Sequence, residues 1–539
     1  METTSVDVLV VGGGATGAAA AYDLARRGVR VLLVDQNDLT TGTSGRYHGL
    51  LHSGGRYVIT DFDTAVECIT ENMILRRIAP FAIEDTGGLF VATSQDPDDF
   101  PARWAAACAR AGIAAEALTP EQARALEPAL TRDITAVYRV PDASCDSFDL
   151  NHGFITAART YGGDAWIYQR VTGFLTDGDA VVGAELEDTR TGERRRVHAA
   201  CVLNATGPWA GVVAGLVGLD VKIRLDRGSM VAMNIRWVNT IVNRLRPPSD
   251  GDILVPVGTV CVLGTTSIRT EDPADTHVDV SEVSTLLHEA DVVVPGIRYG
   301  RALRAWAGVR PLYEPPAELA QLESGHNVSR RFAVIDHTER DGLRGLVTVV
   351  GGKLTTCRLM AEQAVDAVCR QLGVAARCTT ADEPLPVPET SPRHYHQLPH
   401  RVHRLEHGEM PGALICECEV VTRPQLEARI AAYGDQPVAL DDLRRDLRLG
   451  MGPCQAGFCG YRAAGILHAA KGLSPGEATH ALSAFVGERF RGVRPLLYGH
   501  QLRQFYLDEL IYRRTLGLDA LRALDQPQPE GVSDAGSEG

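Results

Sequence analysis

The chain opens on a short β-branched run, Val6–Val11, followed by a glycine turn, Gly12–Gly17, an alanine-rich stretch, Ala18–Arg27, and a second apolar run, Val29–Val34, that ends at Asp35. Short apolar runs bounded by turn residues predict strands and the alanine-rich stretch predicts a helix, so this opening reads as a βαβ unit. Strand-like runs recur at Gly87–Thr93, Trp166–Phe174, Val181–Leu186, Val197–Asn204, Ile253–Val257, Val260–Gly264 and Leu346–Val350. Between them, Thr119-Pro120-Glu121-Gln122 carries the cap residue, N1 proline and N3 glutamine of a helix start. The interleaving predicts an α/β body: a Rossmann-like domain with an inserted mixed or antiparallel sheet.

The pattern changes at Glu383–Gly412, which is rich in proline and histidine and reads as a linker. The expected organisation is a nucleotide-binding and substrate region over 1–380, a linker over 381–412, a metal-cluster domain over 413–470, a helical region over 471–525 and a disordered tail over 526–539. Ser474-Pro475-Gly476-Glu477 opens a helix in the last ordered part. A further helix over His500–Leu516 sets Leu502, Phe505, Tyr506 and Leu510 on one side, a face expected to pack on the chain's own core. The linker histidines His394, His396, His400, His403 and His407 read as polar linker composition rather than a metal site.

Composition narrows the class. Of 539 residues 45% are hydrophobic and 23% charged, which supports a folded core. A net charge of −14 argues against a phosphate-backbone binder. No segment reads as a signal peptide, and the longest uncharged run, Ala199–Leu219, is interrupted by Asn204, Thr206, Gly207 and Pro208, so it reads as strand, turn and buried helix rather than a membrane span. The expectation is a cytoplasmic protein that reaches the inner face of the cell membrane only through a partner. Twelve cysteines are too few for a disulfide scaffold at this length, and four of them cluster late in the chain.

Gly12-Gly13-Gly14-Ala15-Thr16-Gly17 is a G-x-G-x-x-G turn between strand and helix. Gly12 permits the turn, Gly14 lets a pyrophosphate approach, Gly17 allows close helix–sheet packing, and the helix N-terminus at Ala15 and Thr16 offers oriented N–H groups. Asp35 suits the ribose hydroxyls. Two later segments look like flavin contacts: the strand ending in Ala205-Thr206-Gly207, and Gly351-Gly352-Lys353-Leu354-Thr355. No second G-x-G-x-x-G occurs, so FAD is expected without a nicotinamide domain. Cys416-Glu417-Cys418 and Cys454–Cys459 form C-x-C and C-x4-C pairs that suit a [2Fe–2S] cluster or a zinc ion. The flavin motif upstream favours the electron carrier.

Two basic features accompany these motifs: the stretch Thr43–Tyr57, studded with glycine, histidine and arginine, and Gly308-Val309-Arg310-Pro311-Leu312. Arginine's planar fork suits phosphate or carboxylate. Together with Pro248–Pro256, Leu263–Ser267, Gly351–Arg358, Cys416–Cys418 and Gly450–Cys459, they make the chain resemble the FAD-dependent glycerol-3-phosphate dehydrogenases, most closely the catalytic A subunit of the anaerobic, quinone-linked enzyme. The cysteine segment resembles the small [2Fe–2S] domain of bacterioferritin-associated ferredoxin.

The resemblance implies a glutathione-reductase or D-amino-acid-oxidase type of fold with a small helical [2Fe–2S] domain. It also implies oxidation of glycerol 3-phosphate, with electrons leaving through partner redox subunits to quinone. It places Arg56, Tyr57 and Arg310 on the substrate and Lys353 beside substrate or flavin, and adds Thr43, Ser44, His48, Gly49 and Leu50 to the flavin contacts. Where single-chain members carry a histidine after Lys/Arg-Gly-Ser, this chain has Arg227-Gly228-Ser229-Met230. Met230 cannot act as a base, which leaves His52 or Lys353 as the candidate. Two rivals stay open: a flavin dehydrogenase or oxidase of an amino or 2-hydroxy acid, and a non-catalytic electron-transfer subunit.

Overall fold

A computed structural model of the chain describes residues 2–313, 331–387, 398–499, 501–511 and 514. The chain divides into two compact units, Met1–His400 and Arg401–Gly539.

The first unit is built on two sheets. In one, five strands run parallel in the order Asp164–Trp166, Val31–Val34, Glu2–Val11, Arg194–Asn204, Leu346–Gly351, and Phe332–Asp336 closes the edge antiparallel. Val8 and Val10 face helices Ala15–Arg26, Ser147–Thr160 and Cys357–Leu372 in one apolar cluster. Leu9 and Val11 face the other way, against Val181, Ala184 and Leu186 of an antiparallel meander. Both faces of the opening strand are therefore covered, which is why it reads as an unbroken apolar run. The alanines of Ala15–Arg26 are short enough to bring that helix close to the sheet, and Ala18–Ala21 are buried.

The second sheet has nine strands, eight of them in the order Ile268–Thr270, Arg224–Met233, Val260–Gly264, Ile253–Val257, Ile241–Arg244, Gly88–Ala92, Ala136–Val140, Glu116–Leu118, with Ala302–Leu312 antiparallel along Arg224–Met233. All pairings are antiparallel except Ile241–Arg244 with Gly88–Ala92. A small third sheet ties Leu50–Leu51 to Ala143–Cys145 and Ile83–Glu84.

The second unit holds a two-stranded ladder, Leu414–Cys416 with Val421–Thr422. Helices follow at Arg423–Ala432, Leu440–Leu447, Cys459–Lys471, Pro475–Arg491 and Gln501–Leu510. No helix among the described residues is long and apolar enough to cross a membrane.

Some expectations change in detail. Trp166–Phe174 is two strands, broken at Tyr168, which takes φ of +61°. Its ring lies beneath the Arg190 guanidinium, 3.3 Å from ring centre to Cζ. The run Ala199–Leu219 is a strand, a 3-10 turn and a short helix, but Val212 of that helix and Leu216 just after it are exposed rather than buried. The segment read as a linker contains the helix Leu398–Glu406; its residues 388–397, with His394 and His396, lie outside the described residues. The face expected to pack inward on Gln501–Leu510 is open, with Leu502, Tyr506 and Leu510 all exposed. The tail over 526–539 lies outside the described residues.

Candidate functional site

Three glycine-bearing segments meet at the C-terminal ends of the parallel strands, where open α/β sheets bind nucleotides. Gly12 has φ of +110°, and a Cβ there would stand 2.6 Å from the Ala205 carbonyl oxygen, so the first turn lies directly on the Ala205-Thr206-Gly207 turn. A Cβ at Gly17 would collide with the Gly12 carbonyl oxygen. Thr206 is pinned by Asn204, whose Oδ1 accepts its hydroxyl at 2.7 Å. Met360 joins the first and third segments: Thr16 Oγ1 donates to its sulfur at 3.8 Å, and Gly352, with φ of +69°, leaves it room. Asp35 accepts the Gly13 and Asn37 N–H groups at 2.7 and 2.8 Å. Ser44 reaches the helix N-terminus, its Oγ accepting the Ala15 N–H at 3.0 Å, beside Gly14. A cradle that admits no Cβ at Gly12 or Gly17 and opens on a helix N-terminus fits the pyrophosphate of FAD.

The stretch Thr43–Tyr57 leaves this cradle and is clamped against the second sheet. Thr43 Oγ1 donates to the Val309 carbonyl at 2.5 Å, Gly49 lies on Val257, and Leu50 pairs with Ser144. The His52 N–H donates to Thr355 Oγ1 at 3.1 Å, which ties the stretch to the third glycine segment next to Leu354. These ties explain how residues some 250–300 positions apart come to one place.

Both arginines singled out from the sequence are backed by buried carboxylates. Arg56 Nη1 donates to Asp252 Oδ2 at 2.9 Å and Nη2 to the Ser249 carbonyl at 2.9 Å. Asp252 also accepts Arg246 Nε at 2.8 Å. Arg310 Nη2 lies 3.1 Å from Asp226 Oδ2, and Asp226 is itself bonded by Ser267 Oγ. Neither carboxylate was singled out from the sequence. Asp252 lies inside the run Pro248–Pro256, and Asp226 becomes a partner only through strand register, opposite Arg310.

His48 lies close enough to both arginines to feel their charge. Its Nδ1 accepts the Leu50 N–H at 3.1 Å, and burial, followed by Arg56 and Arg310, pushes its pKa down to about 3. The His48 and His52 rings meet edge to face with centroids 5.6 Å apart, and Tyr57 lies 5.3 Å beyond His52. Lys353 Nζ sits 4.6 Å from the centre of the Tyr57 ring. It also contacts the buried thiol of Cys68, whose pKa burial raises and Lys353 lowers in part. His48, His52, Arg56, Tyr57, Arg310 and Lys353 thus form one group. Met230 borders it: a Cβ at Gly264 would touch Met230 Cγ at 3.2 Å and His48 Cβ at 3.5 Å.

In the second unit the four clustered cysteines are neighbours. Cys416 and Cys459, Cys459 and Cys454, and Cys454 and Cys418 lie close enough for each thiol to perturb its neighbour. Backbone N–H groups of Glu419 and Gly450 point at the Cys416 sulfur, and those of Ala456 and Phe458 at that of Cys454. Gly452 has no side chain where one would strike Cys418. Cys416 and Cys454 are held below the usual thiol range, chiefly by the Cys459 and Cys418 thiols, while Cys418 and Cys459 are raised. Among the described residues no three His, Cys, Asp or Glu side chains are grouped around one ion position. Four cysteine sulfurs with backbone N–H donors are a donor set that either a [2Fe–2S] cluster or a zinc ion can use.

Residues 7–366 match the family of FAD dependent oxidoreductases denoted DAO. The chain is 41% identical over 537 residues to the A subunit of anaerobic glycerol-3-phosphate dehydrogenase from Escherichia coli (strain K12), covering 96% of this chain and 98% of that one. It is 39% identical over 551 residues to the protein of the same name from Haemophilus influenzae, covering 99% and 97%. Among solved structures, the glycerol-3-phosphate dehydrogenase from Bacillus halodurans complexed with FAD superposes with a TM-score of 0.65 at 22% identity, over 92% of this chain and 96% of that one. The chain is therefore a member of the FAD dependent oxidoreductase family and, within it, of the group formed by the A subunits of anaerobic glycerol-3-phosphate dehydrogenase.

Proposed function

We propose that the chain oxidises sn-glycerol 3-phosphate to dihydroxyacetone phosphate, using FAD, as the catalytic member of a larger assembly. The observation that carries this reading is the pair of carboxylate-backed arginines, Arg56 and Arg310, both near enough to oppose protonation of His48, which stands beside His52, Tyr57 and Lys353. In a chain of net charge −14, two held guanidinium forks near the same imidazole favour a phosphate-bearing substrate.

Arg56 and Arg310 bind the phosphate and so fix where C2 lies. The carboxylates of Asp252 and Asp226 hold the forks in place before substrate arrives. As the C2 hydrogen leaves as hydride, the C2 hydroxyl proton passes to the His52 imidazole, the side chain type that titrates nearest neutrality. Its backbone bond to Thr355 keeps His52 in place beside the third glycine segment. Lys353 lies over the Tyr57 face, an attraction that exists only for the cation, so it suits stabilising negative charge on the C2 oxygen. Gly12, Gly14, Ala15, Thr16, Gly17, Asp35, Thr43, Ser44, Gly49, Leu50, Thr206, Gly207, Gly351, Gly352, Leu354 and Thr355 hold FAD, which when bound supplies the hydride acceptor at N5. Cys416, Cys418, Cys454 and Cys459 hold a [2Fe–2S] cluster, which when bound supplies a one-electron relay toward partner subunits and quinone. The relatives' designation as A subunits supports such partners, and any membrane attachment comes through them.

Turnover of the full chain with an artificial electron acceptor tests this reading against its rivals. Glycerol 3-phosphate should be oxidised, and glycerol, a 2-hydroxy acid and an amino acid should not. Preference for an acid would move the site to carboxylate recognition. Turnover of none of them would make the chain an electron-transfer component.

A further inference from the structure

We propose that His48 is a third member of the phosphate clamp: a neutral imidazole whose Nε2–H donates to a phosphate oxygen held by Arg56 and Arg310. This rests on the reading of those two arginines as the anion site. The sequence resemblance assigns His48 to the flavin, and the geometry points elsewhere. Nδ1 is occupied as an acceptor by the Leu50 N–H at 3.1 Å, so the ring's one proton sits on Nε2. That bond comes from the backbone two residues on, in a stretch fastened at Leu50 to Ser144, so the tautomer is built into the fold.

Charge points the same way. Burial first, and then the charges of Arg56 and Arg310, oppose protonation of His48, so the ring stays neutral. A neutral donor is what such a place accepts: it adds a hydrogen bond to the anion without adding repulsion between the clamp's own members. The ring is held on its remaining sides by His52, edge to face at 5.6 Å, and by Tyr47 at 5.7 Å. Tyr47 is anchored in turn through its hydroxyl to the Cys145 carbonyl. Strand Val260–Gly264 leaves the space: a Cβ at Gly264 would touch His48 Cβ at 3.5 Å and Cδ2 at 3.8 Å. Gly264 adjoins Thr265, whose Oγ1 lies 3.5 Å from Arg310 Nη1, so a neutral donor on the His48 ring stands close to that guanidinium and is positioned for the same anion.

The test compares the flavin-loaded full chain with His48→Leu and His48→Gln, the second keeping an N–H donor at the reach of Nε2. Affinities for inorganic phosphate and for glycerol 3-phosphate are measured by calorimetry, and the flavin absorbance spectrum checks that each variant remains loaded. The expected result is that His48→Leu weakens both ligands at least tenfold, that His48→Gln stays within about threefold of the wild type, and that KM rises while kcat changes little. Equal affinities in wild type and both variants would overturn the role, as would a fall in kcat with unchanged binding. Phosphate affinity that depends on His48 in a chain that ignores glycerol 3-phosphate would keep the clamp and discard the substrate. A wild type that binds neither ligand would remove both.

Discussion

Asp226 and Arg310 face each other across adjacent antiparallel strands, and the carboxylate holds the guanidinium at 3.1 Å. Asp226 is fully buried while Arg310 keeps partial exposure, so one partner is a fixture and the other is presented. The interaction resembles a mount more than a surface salt bridge.

Asp226→Asn therefore should do two things. It removes the countercharge of a buried pair, a change that destabilises by roughly 3 kcal/mol in comparable cases, and it lets Arg310 drift from its place. We expect a lower melting temperature together with a rise in KM for glycerol 3-phosphate of about tenfold and a smaller change in kcat. Steady-state kinetics with an artificial acceptor checks this. Unchanged KM would make the pair purely structural.

Gly17→Ala should give a chain without bound flavin. The added methyl has nowhere to go but into the Gly12 carbonyl oxygen, which is backbone and cannot swing aside. The ratio of flavin to protein absorbance after purification measures the outcome; a fully loaded variant would contradict the cradle.

His52→Asn should lower the rate of flavin reduction by roughly 100-fold or more while leaving substrate affinity within a few fold, because it removes a proton acceptor and little of the clamp. Stopped-flow reduction under anaerobic conditions separates the two. An unaffected rate would pass the role to another group.

Stability should depend on pH through His48. Its pKa is about 3 in the folded chain against 6.5 for the ordinary side chain, with burial the main cause. His337 is lowered as well, again chiefly by burial. A lowered folded value means that below pH 6.5 the unfolded chain binds the proton more readily. The His48 contribution is complete above pH 6.5 and is lost as pH falls toward 3, at no more than ~1.4 kcal/mol per pH unit. Thermal melts from about pH 7.5 to about pH 5 should show the decline, and His48→Gln should make it shallower.

Much of this architecture was legible in the sequence where a position tolerates few residue types. Gly12 and Gly17 announce themselves because their backbone leaves no space for a side chain. The strands Ile253–Val257 and Val260–Gly264 were expected at the bounds observed, because tightly joined apolar runs admit little else. The capping boxes at Thr119 and Ser474 likewise start helices where their spacing placed them.

What escaped has a common physical origin. Asp226 and Asp252 acquire their partners through the register of strands and turns far apart in the chain, which no local pattern encodes. The break at Tyr168 was hidden because a tyrosine, rather than a glycine, takes the left-handed conformation, with Arg190 stacked on its ring. The apolar spacing of Leu502, Tyr506 and Leu510 marks an amphipathic helix, yet periodicity says nothing of whether the face is covered, and here it is exposed.

The most direct measurement is the absorbance spectrum of the anaerobically purified chain before and after glycerol 3-phosphate is added. The expected result is flavin bands with an iron–sulfur shoulder, both bleached by this substrate. Flavin bands that stay unchanged on adding glycerol 3-phosphate would contradict the proposed activity.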